Sequence, residues 1–77
     1  MIIRSQNERI ITTDLNLHIE PRDSQAIGNV TCWIKNETMG ILATYSSWEK
    51  AIKVLDMICE KAFVQANVFQ MPQDSEV

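Results

Sequence analysis

The only histidine of the chain, His18, is the first candidate for chemistry. General acid–base and nucleophilic catalysis require an imidazole close to a hydroxyl, a thiol or a carboxylate. If His18 lies on a strand, Asn16 and Glu20 share its face, because side chains two residues apart point the same way. A His18–Glu20 pair is then expected. We interpret it as a surface pair without a catalytic role, and we take His18 as a candidate contact for a partner.

The cysteines and glycines do not form a recognisable site for a metal or a phosphate. The separation of Cys32 and Cys59 matches neither a zinc motif nor a CxxC motif, and one histidine does not complete a four-ligand site. Gly28 and Gly40 are too few for a phosphate-binding loop. We therefore expect no cofactor, no metal and no catalytic residue. Both cysteines are expected to face the core as small apolar side chains.

The charge of the chain limits the classes of partner. A formal net charge of −3, with seven basic residues scattered along the sequence, argues against nucleic-acid binding, which needs clustered Lys and Arg. A small anionic ligand stays open as an alternative. An oligomeric binder or sponge for a nucleotide signal would need arginines that face phosphates, and the available ones are Arg4, Arg9 and Arg22.

The length of 77 residues sets the domain organisation. It allows one domain, which we place at residues 1–72, followed by a flexible polar tail at 73–77. No apolar stretch approaches the ~20 residues that span a bilayer, and the Met1-Ile2-Ile3-Arg4 start lacks the order of a signal peptide. We expect a cytoplasmic protein without membrane contact.

The elements that would position these residues begin with a helix predicted at residues 47–64. Ser46 is the expected N-cap, and Glu49 three residues later would complete a capping box. Apolar residues recur at helical spacing and span roughly 140° of the helix surface. They are Trp48, Ala51, Ile52, Leu55, Ile58, Cys59, Ala62 and Phe63. A helix with one apolar stripe must pack on something else.

Alternating stretches predict the sheet that this helix covers. Strands are expected at residues 1–5, 10–19, 29–35, 41–45 and 67–71, with breaks at 21–24 and in the loop 36–40, where Gly40 is free to adopt positive φ. The order β-β-β-β-α-β predicts an α+β fold: an antiparallel sheet of about five strands, with one amphipathic helix packed on one face.

One helix covers only one face of such a sheet. The alternation places Trp33, Leu42 and either Ile10 or Ile11 on the other face. An exposed Trp beside aliphatic residues is typical of an interface, and a homodimer or higher oligomer is its simplest use. The alternative is that the loop 20–28 folds over this face.

Four short motifs form a further pattern: the opening Met1-Ile2-Ile3-Arg4-Ser5-Gln6, the approach to the helix at 40–47, Ala51 with Val54-Leu55, and the closing Val68-Phe69-Gln70-Met71-Pro72. On these motifs the chain resembles an uncharacterised family of very small proteins from Gram-positive bacteria and their phages and prophages. The resemblance does not extend to residues 16–38, and Ala43 stands where a glycine is expected. The resemblance implies a fold and a setting, and it carries over no catalytic residue.

Two functional hypotheses follow. The first is a non-enzymatic protein-interaction module, encoded by a phage or prophage, that binds and inhibits or modulates a host defence protein through Trp33, Leu42 and His18. The second is the nucleotide-binding oligomer that would use the three arginines.

Overall fold

The computed structural model describes residues 1–22 and 30–77, and these ranges fold as an α+β unit. The predictions for a break at 21–24, for a strand from residue 29 and for a covering loop at 20–28 fall wholly or partly outside the described residues. The elements in chain order are β1 (Ile2–Arg4), β2 (Ile11–Thr12), β3 (Leu17–Pro21), β4 (Cys32–Asn36), β5 (Gly40–Tyr45), α1 (Trp48–Phe63), β6 (Val68–Gln70) and a 3-10 helix (Asp74–Glu76).

The six strands form two sheets of three, in the orders β2-β1-β6 and β3-β4-β5. The second sheet is antiparallel, whereas β1 pairs antiparallel with β2 and parallel with β6. The predicted α+β fold with a helix on a sheet is confirmed. The structure differs from the expected single antiparallel sheet because β1 meets β6. Parallel pairing needs a long crossover, which the second sheet and α1 together provide.

The predicted strand at 10–19 is divided into β2 and β3 by the turn around Asp14. The Asp14 carboxylate accepts a hydrogen bond from the backbone N–H of Asn16 at 2.9 Å, and the Thr12 hydroxyl accepts one from the Asp14 N–H at 3.0 Å. Such short-range bonds compete with a strand ladder for the same backbone groups. The chain therefore changes sheets at this point.

The N-cap of helix α1 is one residue later than predicted. Ser47, in extended conformation, is the N-cap, and its hydroxyl accepts a hydrogen bond from the Lys50 N–H at 3.2 Å. Ser46 instead donates its N–H to the Asp74 carboxylate at 2.8 Å. The helix lies against β3, β4 and β5. It buries Ala51, Val54 and Ile58.

The hairpin between β4 and β5 contains a turn and a bulge. Gly40 has φ +85°, in agreement with its predicted positive φ, and it pairs with Asn36 at the start of β5. Further along, the register shifts: Ala43 pairs with Ile34, whereas Ile41 pairs with Lys35. Leu42 is the extra residue of this bulge, which changes the direction of the side chains before it.

The core joins both sheets to one face of α1. Its buried apolar residues are Ile3, Cys32, Ile34, Leu42, Ala43, Tyr45, Ala51, Val54, Ile58, Phe69 and Met71. Residues 73–77, predicted as a flexible tail, include the 3-10 helix and are attached to the rest of the fold through Asp74. The Lys50 ammonium donates to the Asp74 backbone carbonyl at 3.0 Å and lies 3.5 Å from its carboxylate.

Candidate functional site

The outer face of the β3-β4-β5 sheet, opposite helix α1, carries two of the three predicted partner-binding residues. Cross-strand pairing sets His18 opposite Lys35 and Glu20 opposite Trp33, and Trp33 is half-buried. The Lys35 ammonium lies 4.9 Å from the centre of the Trp33 ring, which is cation–π geometry. The structure thus brings Trp33 and His18 to one surface.

This surface is a network of charged groups rather than an apolar patch. The Glu20 carboxylate lies 3.1 Å from Lys35 Nζ and 3.4 Å from His18 Nε2, so the predicted His18–Glu20 pair is present. His18 Nδ1 lies 3.3 Å from Glu37. Hydrogen bonds from Lys35 and then His18 hold the pKa of Glu20 below its ordinary value. A partner here would have to replace these exposed ion pairs, and the apolar contacts on offer are Trp33 and Ile41, which pairs with Lys35 and is 42% exposed.

The third predicted contact, Leu42, does not lie on this face, and that expectation is wrong. Leu42 is 2% exposed and belongs to the core. The β5 bulge is the reason, because it sends both Leu42 and Ala43 inward, where strict alternation would send only one of them. Ile11 is exposed, but it lies in the other sheet, β2-β1-β6.

The three candidate ligand-binding arginines are distributed over both sheets. Arg4 lies on β1 and pairs with Glu8 at 3.5 Å. Arg9 is exposed in the following turn, and Arg22 is exposed just after β3 in the second sheet. None of them lines the 260 Å³ cleft between the sheets. Within the described residues, the three arginines therefore do not surround a common phosphate position.

The largest exposed apolar surface of the helix is one that the sequence placed in the core. Trp48, Ile52, Cys59 and Phe63 are all exposed, and we call these four residues the helix flank. The expectation that Cys59 is buried is wrong, although Cys32 is buried as expected. The buried residues Ala51, Val54 and Ile58 occupy about 60° of the helix, and the helix flank occupies roughly the next 60° beyond Leu55.

The helix flank faces away from the C-terminal segment. Lys50, on the opposite side of α1, contacts Asp74, which lies beside the start of the helix on the β5 side. The inward side chains of β3, Leu17 and Ile19, are only half-buried, whereas those of β4 and β5 are buried. Helix α1 therefore covers β4 and β5 more completely than β3. The predicted apolar stripe of roughly 140° is wider than the arc of α1 that is buried, and this width was the sign in the sequence that part of the stripe would stay exposed.

The motif residues at the two chain ends meet in a seam between the sheets. The Gln6 amide accepts from the Thr44 N–H at 2.9 Å and donates to the carbonyls of Thr44 at 3.2 Å and Pro72 at 2.9 Å. Tyr45 donates its hydroxyl to the same Pro72 carbonyl at 2.8 Å. Gln6 thus pairs with the free edge of β5 as a strand would. Its hydrogen-bonding groups are used within the fold, so the seam explains these residues without a ligand.

Gln6, Thr44 and Gln73 are among the residues that line the 260 Å³ cleft beside this seam. Among residues 1–22 and 30–77, no group of three or more His, Cys, Asp or Glu side chains is placed to hold a metal ion. Over the same ranges, no helix has both the length and the apolar character that crossing a bilayer requires. Comparison of the chain with family models, curated proteins and solved structures finds no match.

Proposed function

We propose that this protein is a non-enzymatic protein-interaction module that binds another protein through the helix flank. The observation that carries the proposal is the incomplete burial of α1. Trp48 is 44% exposed, Ile52 is 38% exposed and Phe63 is 88% exposed, all on one side of one helix. A small domain gains stability by burying such residues, so leaving them exposed costs stability unless a partner covers them.

The composition of the helix flank also supports a role in binding. Trp and Phe are enriched at the centres of protein interfaces, where they supply most of the binding energy. In the setting implied by the family resemblance, a phage or prophage, the partner is a host protein that is inhibited or modulated. Trp33 lies on the outer sheet face, opposite α1, and would serve as a separate contact for a partner.

The test compares co-purifying proteins between the wild-type chain and matched variants, expressed in a Gram-positive host. Ile52→Glu combined with Phe63→Glu places two charges in the helix flank, and both positions are exposed enough to accept them without unfolding the domain. We expect the variant to lose proteins that the wild type retains. Far-ultraviolet circular dichroism verifies that its fold is unchanged.

Ile11→Glu is the control, since Ile11 is 61% exposed on the other sheet and should retain the wild-type set of partners. Trp33→Ala tests the outer sheet face separately. If the Ile52/Phe63 variant retained every specific partner, the helix flank would not be the binding surface. If partners were lost only with Trp33→Ala, the outer sheet face would take its place.

A further inference from the structure

We infer that the helix flank binds a basic amphipathic helix supplied by a different protein. This inference rests on the proposed function and adds the chemistry of the partner. Three features carry it: the spacing of the apolar residues, the length of the exposed surface and the charges along its border.

The apolar residues are spaced as in a helix–helix contact. Together with the half-buried Leu55 at its border, three residues of the helix flank, Trp48, Ile52 and Cys59, follow one another in steps of four, three and four residues, the pattern of a coiled-coil seam. The spacing suits a partner that repeats its own side chains at the same interval. A partner helix can therefore insert its apolar side chains between those of the helix flank.

The length of the surface fits such a partner. From Trp48 to Phe63 the helix rises about 22 Å, or roughly four turns. A helix of about 16 residues matches this length, and the large exposed Phe63 would lie at one end of the contact.

The charges on the solvent side of the helix flank select a basic partner. Glu49, Asp56 and Glu60 follow the flank within roughly the next 60° of the helix surface. All three are exposed, and none forms an ion pair with another described residue. The lysines of α1 lie farther around the helix. Lys or Arg side chains on a bound helix would meet three free carboxylates.

A second copy of this chain is a poorer fit for the same reason. In an antiparallel pair of α1 helices, Glu49 of one copy would approach Glu60 of the other. In a parallel pair, the two acidic borders would lie on opposite sides of the contact, each beside the Leu55 side of the other helix, where α1 offers no basic side chain. Like charges that face each other across an interface oppose association. The acidic border therefore favours a partner of opposite charge over self-association.

The test uses a defined probe: an 18-residue fluorescent peptide with Leu and Lys arranged as an amphipathic helix. A Leu/Glu peptide of the same pattern is its control. We expect the Leu/Lys peptide to bind the wild-type protein and to become helical on binding. Added salt should weaken this binding. Glu49→Gln, Asp56→Asn and Glu60→Gln together should weaken binding about tenfold, the effect of losing three exposed ion pairs.

Two variants locate the binding surface. Ile52→Glu with Phe63→Glu should abolish binding of the Leu/Lys peptide, and Ile11→Glu should leave it unchanged. The inference is overturned if the wild-type protein binds both peptides equally well. It is also overturned if the Ile52/Phe63 variant binds the Leu/Lys peptide as tightly as the wild type does. A stable dimer in solution that excludes the peptide overturns it as well. If that variant loses host partners while the Leu/Lys peptide fails to bind, the proposed function stands and only the basic helix is refuted.

Discussion

Replacing Gln6 by glutamate tests whether the seam holds the two sheets together. The Gln6 amide nitrogen donates to two carbonyl oxygens, at 3.2 Å on Thr44 and 2.9 Å on Pro72, while its oxygen accepts from the Thr44 N–H. Gln6→Glu keeps the shape and the acceptor. It places a carboxylate oxygen against both carbonyls, which then lose their donor and face a like partial charge.

The size of the effect follows from the number of bonds. Each neutral hydrogen bond contributes about 0.5–1.5 kcal/mol, so Gln6→Ala, which removes three, should cost about 2 kcal/mol. Gln6→Glu loses only two but adds repulsion and the desolvation of a charge, and we expect about 3 kcal/mol. A chain of this size has a free energy of unfolding of roughly 4–12 kcal/mol. Either change therefore removes a large share of the stability.

Urea unfolding, monitored by circular dichroism, measures both variants. With a slope of about 1 kcal/mol/M for a small domain, the midpoint should fall by roughly 2 M for Gln6→Ala and 3 M for Gln6→Glu. The difference in urea midpoint between Gln6→Glu and wild type should become smaller below about pH 4, where the new carboxyl group is protonated and donates a hydrogen bond again. Gln65→Glu, at an exposed residue, controls for the added charge. A Gln6→Glu midpoint equal to that of wild type at neutral pH would refute this account of the seam.

Two further predictions concern the core. Val54→Ala, at a residue that is 0% exposed, should cost about 2 kcal/mol in urea unfolding. Val64→Ala, at a residue that is 62% exposed, should change the free energy of unfolding by no more than about 0.5 kcal/mol. Equal losses of stability in Val54→Ala and Val64→Ala would contradict the observed orientation of α1. Burial, reinforced by the nearby Asp74 and Glu76 carboxylates, raises the pKa of Tyr45 above its ordinary 10.0. The native phenol keeps its proton while the unfolded one releases it, so stability should fall as pH rises beyond 10.0. Because Tyr45 is the only tyrosine, tyrosinate absorbance reports it alone, and it should appear together with unfolding; ionisation near its ordinary pKa with the fold intact would contradict this packing.

The local elements were predictable because short-range patterns specify them. Helical spacing of apolar residues located α1 to within a residue at each end, and the glycine at position 40 marked the turn before β5. Alternation placed Cys32 and Ile34 inside and Trp33 outside, since β4 follows a regular pleat. His18 and Glu20 were paired by the same rule.

The predictions failed where the outcome depended on a distant residue. Whether Leu42 faces the core is decided by a one-residue bulge against β4, which period-two alternation does not contain. The division into two sheets depends on β1 meeting β6 across nearly the whole chain. The meeting of Gln6, Tyr45 and Pro72 depends on the same closure.

The helix shows the boundary between the two kinds of information. The sequence by itself determined that α1 has an apolar side, and it determined its width, because both follow from residue type and helical spacing. Only the tertiary structure decided which side chains are buried, and it adds Val54, which lies outside the predicted stripe, to Ala51 and Ile58. The sheet in contact with α1 buries Ala51, Val54 and Ile58, and no other described element covers Trp48, Ile52 and Phe63. The helix flank, which we propose as the partner-binding surface, is the part of the apolar side of α1 that the sheet does not cover.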